Sequence, residues 1–172
     1  NLQTFQFNAR LPEFTAEKVK MNYPQYLNQQ VEGILTFKSI KRRSTEPARY
    51  PRFISYQSNV DLNKVEIEGA RFTGGFAMEG KKIKGASVYG NTSEIFIRDA
   101  AGNAFKANAK VIDVTDTTIS ARNASLVIYH ARDSIYHPSM RIRYYISDKR
   151  LVAIKEQNGF QQTPFNSTHF NI

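Results

Sequence analysis

The chain of 172 residues has no cysteine, no tryptophan and only three histidines, His130, His137 and His169. Without thiols there is no disulfide and no thiolate metal site, although the compartment stays open. No two histidines stand at the spacing of a helical or ribbon ligand pair, and a metal centre needs at least three convergent ligands, so no metal is expected. His137 precedes Pro138 and reads as a turn histidine. No run approaches the roughly 18 apolar residues of a membrane-crossing helix. The Gly74-Gly75 pair lacks the Lys-Ser/Thr and following helix of a phosphate loop, and no Gly-x-Ser-x-Gly elbow occurs. The acids are scattered: Asp113 and Asp116 flank one turn, and Asp61, Glu66 and Glu68 fall near another. They read as turn and solvent-facing carboxylates. No catalytic residue and no cofactor is expected, and a non-enzymatic role is favoured.

What is present leans towards β-structure. Hydrophobic residues at 41% and charged residues at 23% are ordinary for a globular chain, which excludes wholesale disorder. The aromatic set is 12 Phe and 9 Tyr, both strand-favouring, against few Gly and Pro. Length predicts one domain over 1–172. The chain opens at Asn1 without an initiator Met or leader pattern, so it is expected to be an excised segment of a longer chain or a processed protein.

Apolar residues recur at period two along most of the sequence. Phe5 to Leu11, Glu17 to Tyr23 (closed by Pro24) and Val31 to Phe37 are predicted strands. So are Phe53 to Tyr56, Asn59 to Leu62, Ala70 to Met78, Lys82 to Tyr89 and Glu94 to Arg98. Gly74-Gly75 keeps phase within its run and predicts a bulge or close strand contact. Asp99-Ala-Ala-Gly-Asn predicts a hairpin turn into Phe105. The region from Ala104 to Tyr145 carries the clearest alternation, and Lys149 to Glu156 adds one more strand. The tail from Gln157 to Ile172 reads as an extended cover or a lead into a next unit. The predicted core contains Phe72, Phe76, Val88, Ile95, Ile97, Phe105, Val111, Ile119, Val127, Ile142 and Ile154.

Phe105 to Ile112 can be laid on Ile119 to Ile128 with a small insertion. With short strands every ten residues or so, this predicts an all-β stack, a β-roll, β-solenoid or jelly-roll-like segment, with a closed β-sandwich as the rival. In a stack, neighbouring segments of the same chain would be partners.

One stretch breaks the pattern. Lys38, Lys41, Arg42, Arg43, Arg49 and Arg52 surround a single acid, Glu46, in the loop up to Arg52. Guanidinium forks bind phosphate or carboxylate in two-point fashion, and Tyr50 and Phe53 stand beside them. These six are the candidate anion-binding residues. The net charge of +9 points the same way, towards anionic lipid, lipopolysaccharide or glycan. No nucleic-acid-binding motif is visible, so nucleic acid is not expected.

Tyr50-Pro-Arg-Phe-Ile-Ser-Tyr-Gln-Ser-Asn, Phe72-Thr-Gly-Gly-Phe, Asp133-Ser-Ile-Tyr-His-Pro and Thr163-Pro-Phe-Asn-Ser-Thr-His resemble signatures of very large envelope proteins of Bacteroidota-type bacteria. The similarity runs from about Pro12 to the end and implies a periplasmic or envelope location, with no catalytic residues to carry over. The Phe105–Tyr129 pattern is similar, more distantly, to OstA-type β-jellyroll modules of lipopolysaccharide transport, which cradle acyl chains in an apolar groove. The function implied is a structural or transport scaffold of the cell envelope. The alternative is a carbohydrate-binding or carbohydrate-active module.

Overall fold

The computed structural model describes residues 4–8, 10, 12–41, 43–62, 69–156 and 166–167. Alternating apolar residues settle into β1 (Thr4–Asn8), β2 (Glu13–Met21), β3 (Val31–Lys38), β4 (Arg52–Ser55) and β5 (Val60–Asp61). Next come β6 (Ala70–Gly74), β7 (Ala77–Glu79), β8 (Lys82–Gly85), β9 (Ser93–Arg98), β10 (Ala104–Ala109) and β11 (Ile112–Val114). Two long strands, β12 (Thr118–His130) and β13 (Asp133–Tyr145), form a hairpin, followed by β14 (Arg150–Lys155) and β15 (Asn166–Ser167). No helix occurs among the described residues.

The all-β expectation holds, but neither the stacked form nor the closed sandwich does. All fifteen strands belong to one open sheet, in the order β1-β2-β3-β4-β7-β8-β11-β12-β10-β9-β6-β5, with β13 along the other edge of β12 and β14 and β15 beyond it. Every strand pairing is antiparallel. Among the described residues the sole parallel contact is an isolated bridge, Ser55 to Ser87. A solenoid repeats its strands in parallel from rung to rung, and a sandwich splits them between two sheets. The two similar segments, Phe105–Ile112 and Ile119–Ile128, are antiparallel neighbours, with Phe105 opposite Ile128. Their likeness records two strands facing the same core, not a repeat. The jelly-roll and OstA-like expectation falls with the stack.

β12 divides the sheet. Its second half pairs with β10 and its first with β11, and from these the strands fan out in two arms. One row of cross-strand partners runs through the longer arm: Ala16, Leu35, Phe53, Met78, Ile83, Val114, Ile119, Tyr144 and Leu151. All are apolar or aromatic, because partners across a ladder share a face and that face is the core. The shorter arm gives Phe72, Ile95, Ala107 and Leu126 in register. The chain crosses between arms at Gly75-Phe76, so the predicted Ala70–Met78 strand is two strands. The close contact expected there is real: a Cβ at Gly75 would strike the Ala86 carbonyl, and one at Gly74 the Ser93 hydroxyl.

The crossing is tied by a buried serine. Ser55 Oγ donates to the Gln57 carbonyl (2.8 Å) and accepts from the Phe76 N–H (2.9 Å). The Ser55 N–H donates to the Phe76 carbonyl at 2.8 Å, and the Val88 N–H to the Ser55 carbonyl at 2.9 Å. Neighbouring Ser87 is also buried, yet its hydroxyl has no partner among the described residues.

Of the predicted core, Phe72, Phe76, Ile95, Ile97, Phe105, Ile119 and Ile142 are buried, while Val88 and Val127 are half-buried. Val111 and Ile154 are exposed, at 42% and 56%. The errors trace to phase changes. Between Ala121 and Ala124 an extra residue bulges from β12, with Asn123 at φ 48°, so Leu126 rather than Val127 turns inward. Ala109 and Ile112 are both buried across the β10–β11 break, which throws Val111 outward. Ile154 lies opposite Arg141 on the outer face. A further bulge around Lys18, at φ 53°, joins the expected Glu17–Tyr23 strand to residues before it. His137 is not in a turn: it is fully buried within β13, beside a bulge at Pro138-Ser139. Proline, lacking an N–H, is tolerated at such a bulge.

Candidate functional site

The basic loop joins β3 to β4 and is held at both ends. At its start Lys38 Nζ lies 2.9 Å from Glu13 Oε2, and the Ser39 N–H donates to the Pro12 carbonyl at 2.8 Å. The hydrogen bond to Glu13, with its charge, raises the Lys38 amine above its ordinary range. At its end Arg52 Nε is 3.6 Å from Glu79 Oε1 and donates to the Arg49 carbonyl at 3.3 Å. The Arg52 guanidinium also covers the Tyr50 ring at 4.8 Å. Glu79 in turn binds Lys84 Nζ at 2.8 Å, and that hydrogen bond holds its carboxyl below the usual range. The Gly80 N–H donates to the Pro51 carbonyl at 2.9 Å. Gly80 sits at φ 58°, where a Cβ would run into the Ala48 carbonyl. Only glycine admits both the conformation and the approach.

The six candidate cations therefore separate. Lys38 is paired with Glu13, and Arg52 shares Glu79 with Lys84; both act as the loop's frame. Lys41, Arg43 and Arg49 are exposed, with no ion pair among the described residues. Arg42 lies outside the described residues. The sequence brings these groups onto one loop, but of the five described only Lys41, Arg43 and Arg49 are available to a partner.

A second basic region was missed. On the outer face of the β11–β14 strands lies a groove of about 1120 Å³. Asp113, Ser120 and Arg143 are successive cross-strand partners along its floor. Arg141 and Arg143 flank buried Ile142 and so share the outward face of β13. Arg122 and Asn123 of the β12 bulge and Pro138 of the β13 bulge line it too, so the groove lies over the bend that the bulges impose. Arg141 is anchored through two bonds to Glu156, at 3.4 and 3.3 Å. Tyr145 is covered by the Arg150 guanidinium at 4.6 Å. The signal was the Arg141-Ile142-Arg143 alternation around a predicted core residue. The bulge that adds Arg122 left no comparable mark.

The other titratable groups are structural in setting. Asp99 closes the predicted hairpin turn, accepting from the Asn103 N–H at 2.8 Å and from its side-chain amide at 3.0 Å. The amide bond leads in holding its carboxyl below the ordinary range. His130 Nδ1 meets Asn103 Oδ1 at 2.6 Å. Among the described residues no group of three or more His, Asp or Glu side chains is placed to hold a metal ion. Among the described residues Asp113 is the sole carboxylate lining the groove, so they do not assemble the paired carboxylates of a glycoside hydrolase there. Neither a family model, nor a curated protein, nor a solved structure matches this chain.

Proposed function

We propose that this chain is a non-catalytic structural segment of a bacterial cell-envelope protein that meets an anionic lipid surface through its β3–β4 loop. The observation that carries the reading is the division of labour in that loop. Lys38 pairs with Glu13, Arg52 shares Glu79 with Lys84, and the two fix the loop's ends. Lys41, Arg43 and Arg49 are left exposed, with no ion pair among the described residues. A loop already held at both ends loses less freedom when its cations engage a surface. The envelope setting is supported by the motif resemblance at Tyr50–Asn59, Phe72–Phe76 and Asp133–Pro138.

Three available cations at about 1 kcal/mol each give about 3 kcal/mol, roughly two powers of ten in partition. Sedimentation with phosphatidylglycerol-containing vesicles tests this. Binding at about 0.01 M salt should fall sharply at about 0.15 M, where the Debye length shrinks to about 8 Å. A variant combining Lys41→Ser, Arg43→Ser and Arg49→Ser should lose most of the binding and keep its thermal midpoint. Equal binding by the triple variant, or none by the parent chain at low salt, refutes the proposal.

A further inference from the structure

We infer that the outer groove over the β12 and β13 bulges is a binding site for an acidic oligosaccharide, independent of the β3–β4 loop. Its uncompensated charge comes from Lys110, in the break between β10 and β11, from Arg122 on β12 and from Arg143 on β13. Lys110, Arg122 and Arg143 are exposed and have no ion pair among the described residues, whereas Arg141 is oriented by Glu156. The free guanidinium forks of Arg122 and Arg143 suit two-point contact with a carboxylate or sulfate.

The remaining lining chooses among polyanions. Asp113 sits in the same row as Arg143, two strands away, so about 10 Å separates their backbones at the usual strand spacing. An unpaired carboxylate repels a ligand recognised by negative charge alone, but it accepts hydrogen bonds from hydroxyls. Asn108, Ser120 and Ser125 add short side chains able to donate and accept along the same face. Exposed Val111 and Ile154 offer the apolar contact that the C–H face of a sugar ring presents. A single-stranded nucleic acid would call for aromatic platforms. The one aromatic ring here, Tyr145, already lies beneath Arg150. A lipid bilayer meets flat or convex surfaces, and these groups line a concave one. A hydroxyl-rich ligand carrying carboxylate or sulfate matches both signs of charge.

Titration calorimetry with a short oligogalacturonate, a sulfated dextran fragment and a neutral maltooligosaccharide tests the assignment. At least one of the two acidic sugars should bind and the neutral one should not. Because each charge-assisted contact contributes about a factor of ten, Arg122→Gln with Arg143→Gln should weaken binding about a hundredfold. Both side chains are exposed and have no ion pair among the described residues, so circular dichroism and the thermal midpoint should be unchanged. Asp113→Ala separates the alternatives: it weakens a sugar whose hydroxyls donate to this carboxylate, and it strengthens any polyanion held by charge alone. The Lys41, Arg43 and Arg49 triple variant should bind the sugar as the parent does, so the two sites fail or stand separately. The inference is overturned if neither acidic sugar binds, if the neutral sugar binds equally, or if the Arg122/Arg143 variant is unaffected. Stronger binding by the Asp113 variant, or displacement of the sugar by a single-stranded DNA oligomer at lower concentration, also overturns it.

Discussion

Two buried serines joined by a β-bridge, Ser55 and Ser87, should respond differently to the same substitution. Ser55 is fully buried and its hydroxyl is used twice, accepting from the Phe76 N–H and donating to the Gln57 carbonyl. Ser55→Ala keeps the backbone bonds to Phe76 and Val88 but strands a buried N–H. An orphaned donor costs about 1–3 kcal/mol. The Gln57 carbonyl tolerates its loss better, as under-satisfied acceptors generally do. Ser87 is 5% exposed and its hydroxyl has no partner among the described residues. Its burial is itself a cost, so Ser87→Ala should range from neutral to a gain of about 1 kcal/mol, limited by the small void left behind. The variants should differ by about 2–3 kcal/mol, or about 4–12 °C in thermal midpoint for a chain of this size. With no tryptophan, urea unfolding is best followed by tyrosine fluorescence and by circular dichroism in the β band. If Ser87→Ala destabilises as much as Ser55→Ala, hydrogen-bond satisfaction does not govern the crossing between the arms.

Phe105 is buried on β10, with its ring 5.4 Å from that of Tyr144, so Phe105→Ala should cost about 3–5 kcal/mol in the same unfolding assay. Acid should act through Asp99 and Glu79, whose folded carboxyls lie below their ordinary values. Their contribution is present above the unfolded carboxylate range and is lost as pH falls through the lowered values, so the thermal midpoint should decline on the acid side. Asp99→Asn should flatten that decline; an unchanged acid limb would show that the turn carboxylate does not drive it.

The period-two alternation made the strand class and most of the inward face legible. Phe72, Ile95, Phe105 and Ile142 fall where their phase puts them, and Asp99 to Asn103 makes the hairpin turn its composition promises. Alternation fixes a face only while phase is kept. Single inserted residues near Lys18, Asn123 and Ser139 reverse it, and no side chain there announces the change. Pairing order was illegible for a different reason. Alternation says which face is buried but not which strand lies alongside, so two similar neighbours passed for a repeat. The basic loop was plain from its composition, but the acids that pair with Lys38 and Arg52 come from β2 and β7, distant in sequence and adjacent in the sheet. The groove needed strands from both sides of β12 before its charges came together.

The bulges in β12 and β13 have a bearing on how this molecule can change. Pairing at the hairpin turn, His130 opposite Asp133, and pairing at the far end, Thr118 opposite Tyr145, belong to the same frame, because the extra residue in one strand is answered by an extra residue in the other. Losing either alone would leave an extra residue in one strand with no answer in the other and offset the two ends of the hairpin by one. Losing both would leave every core side chain facing inward and only straighten the sheet beneath the groove. The bent floor is thus a separable feature, one that evolution or a designer can add or remove as a matched pair of residues without rewriting the core.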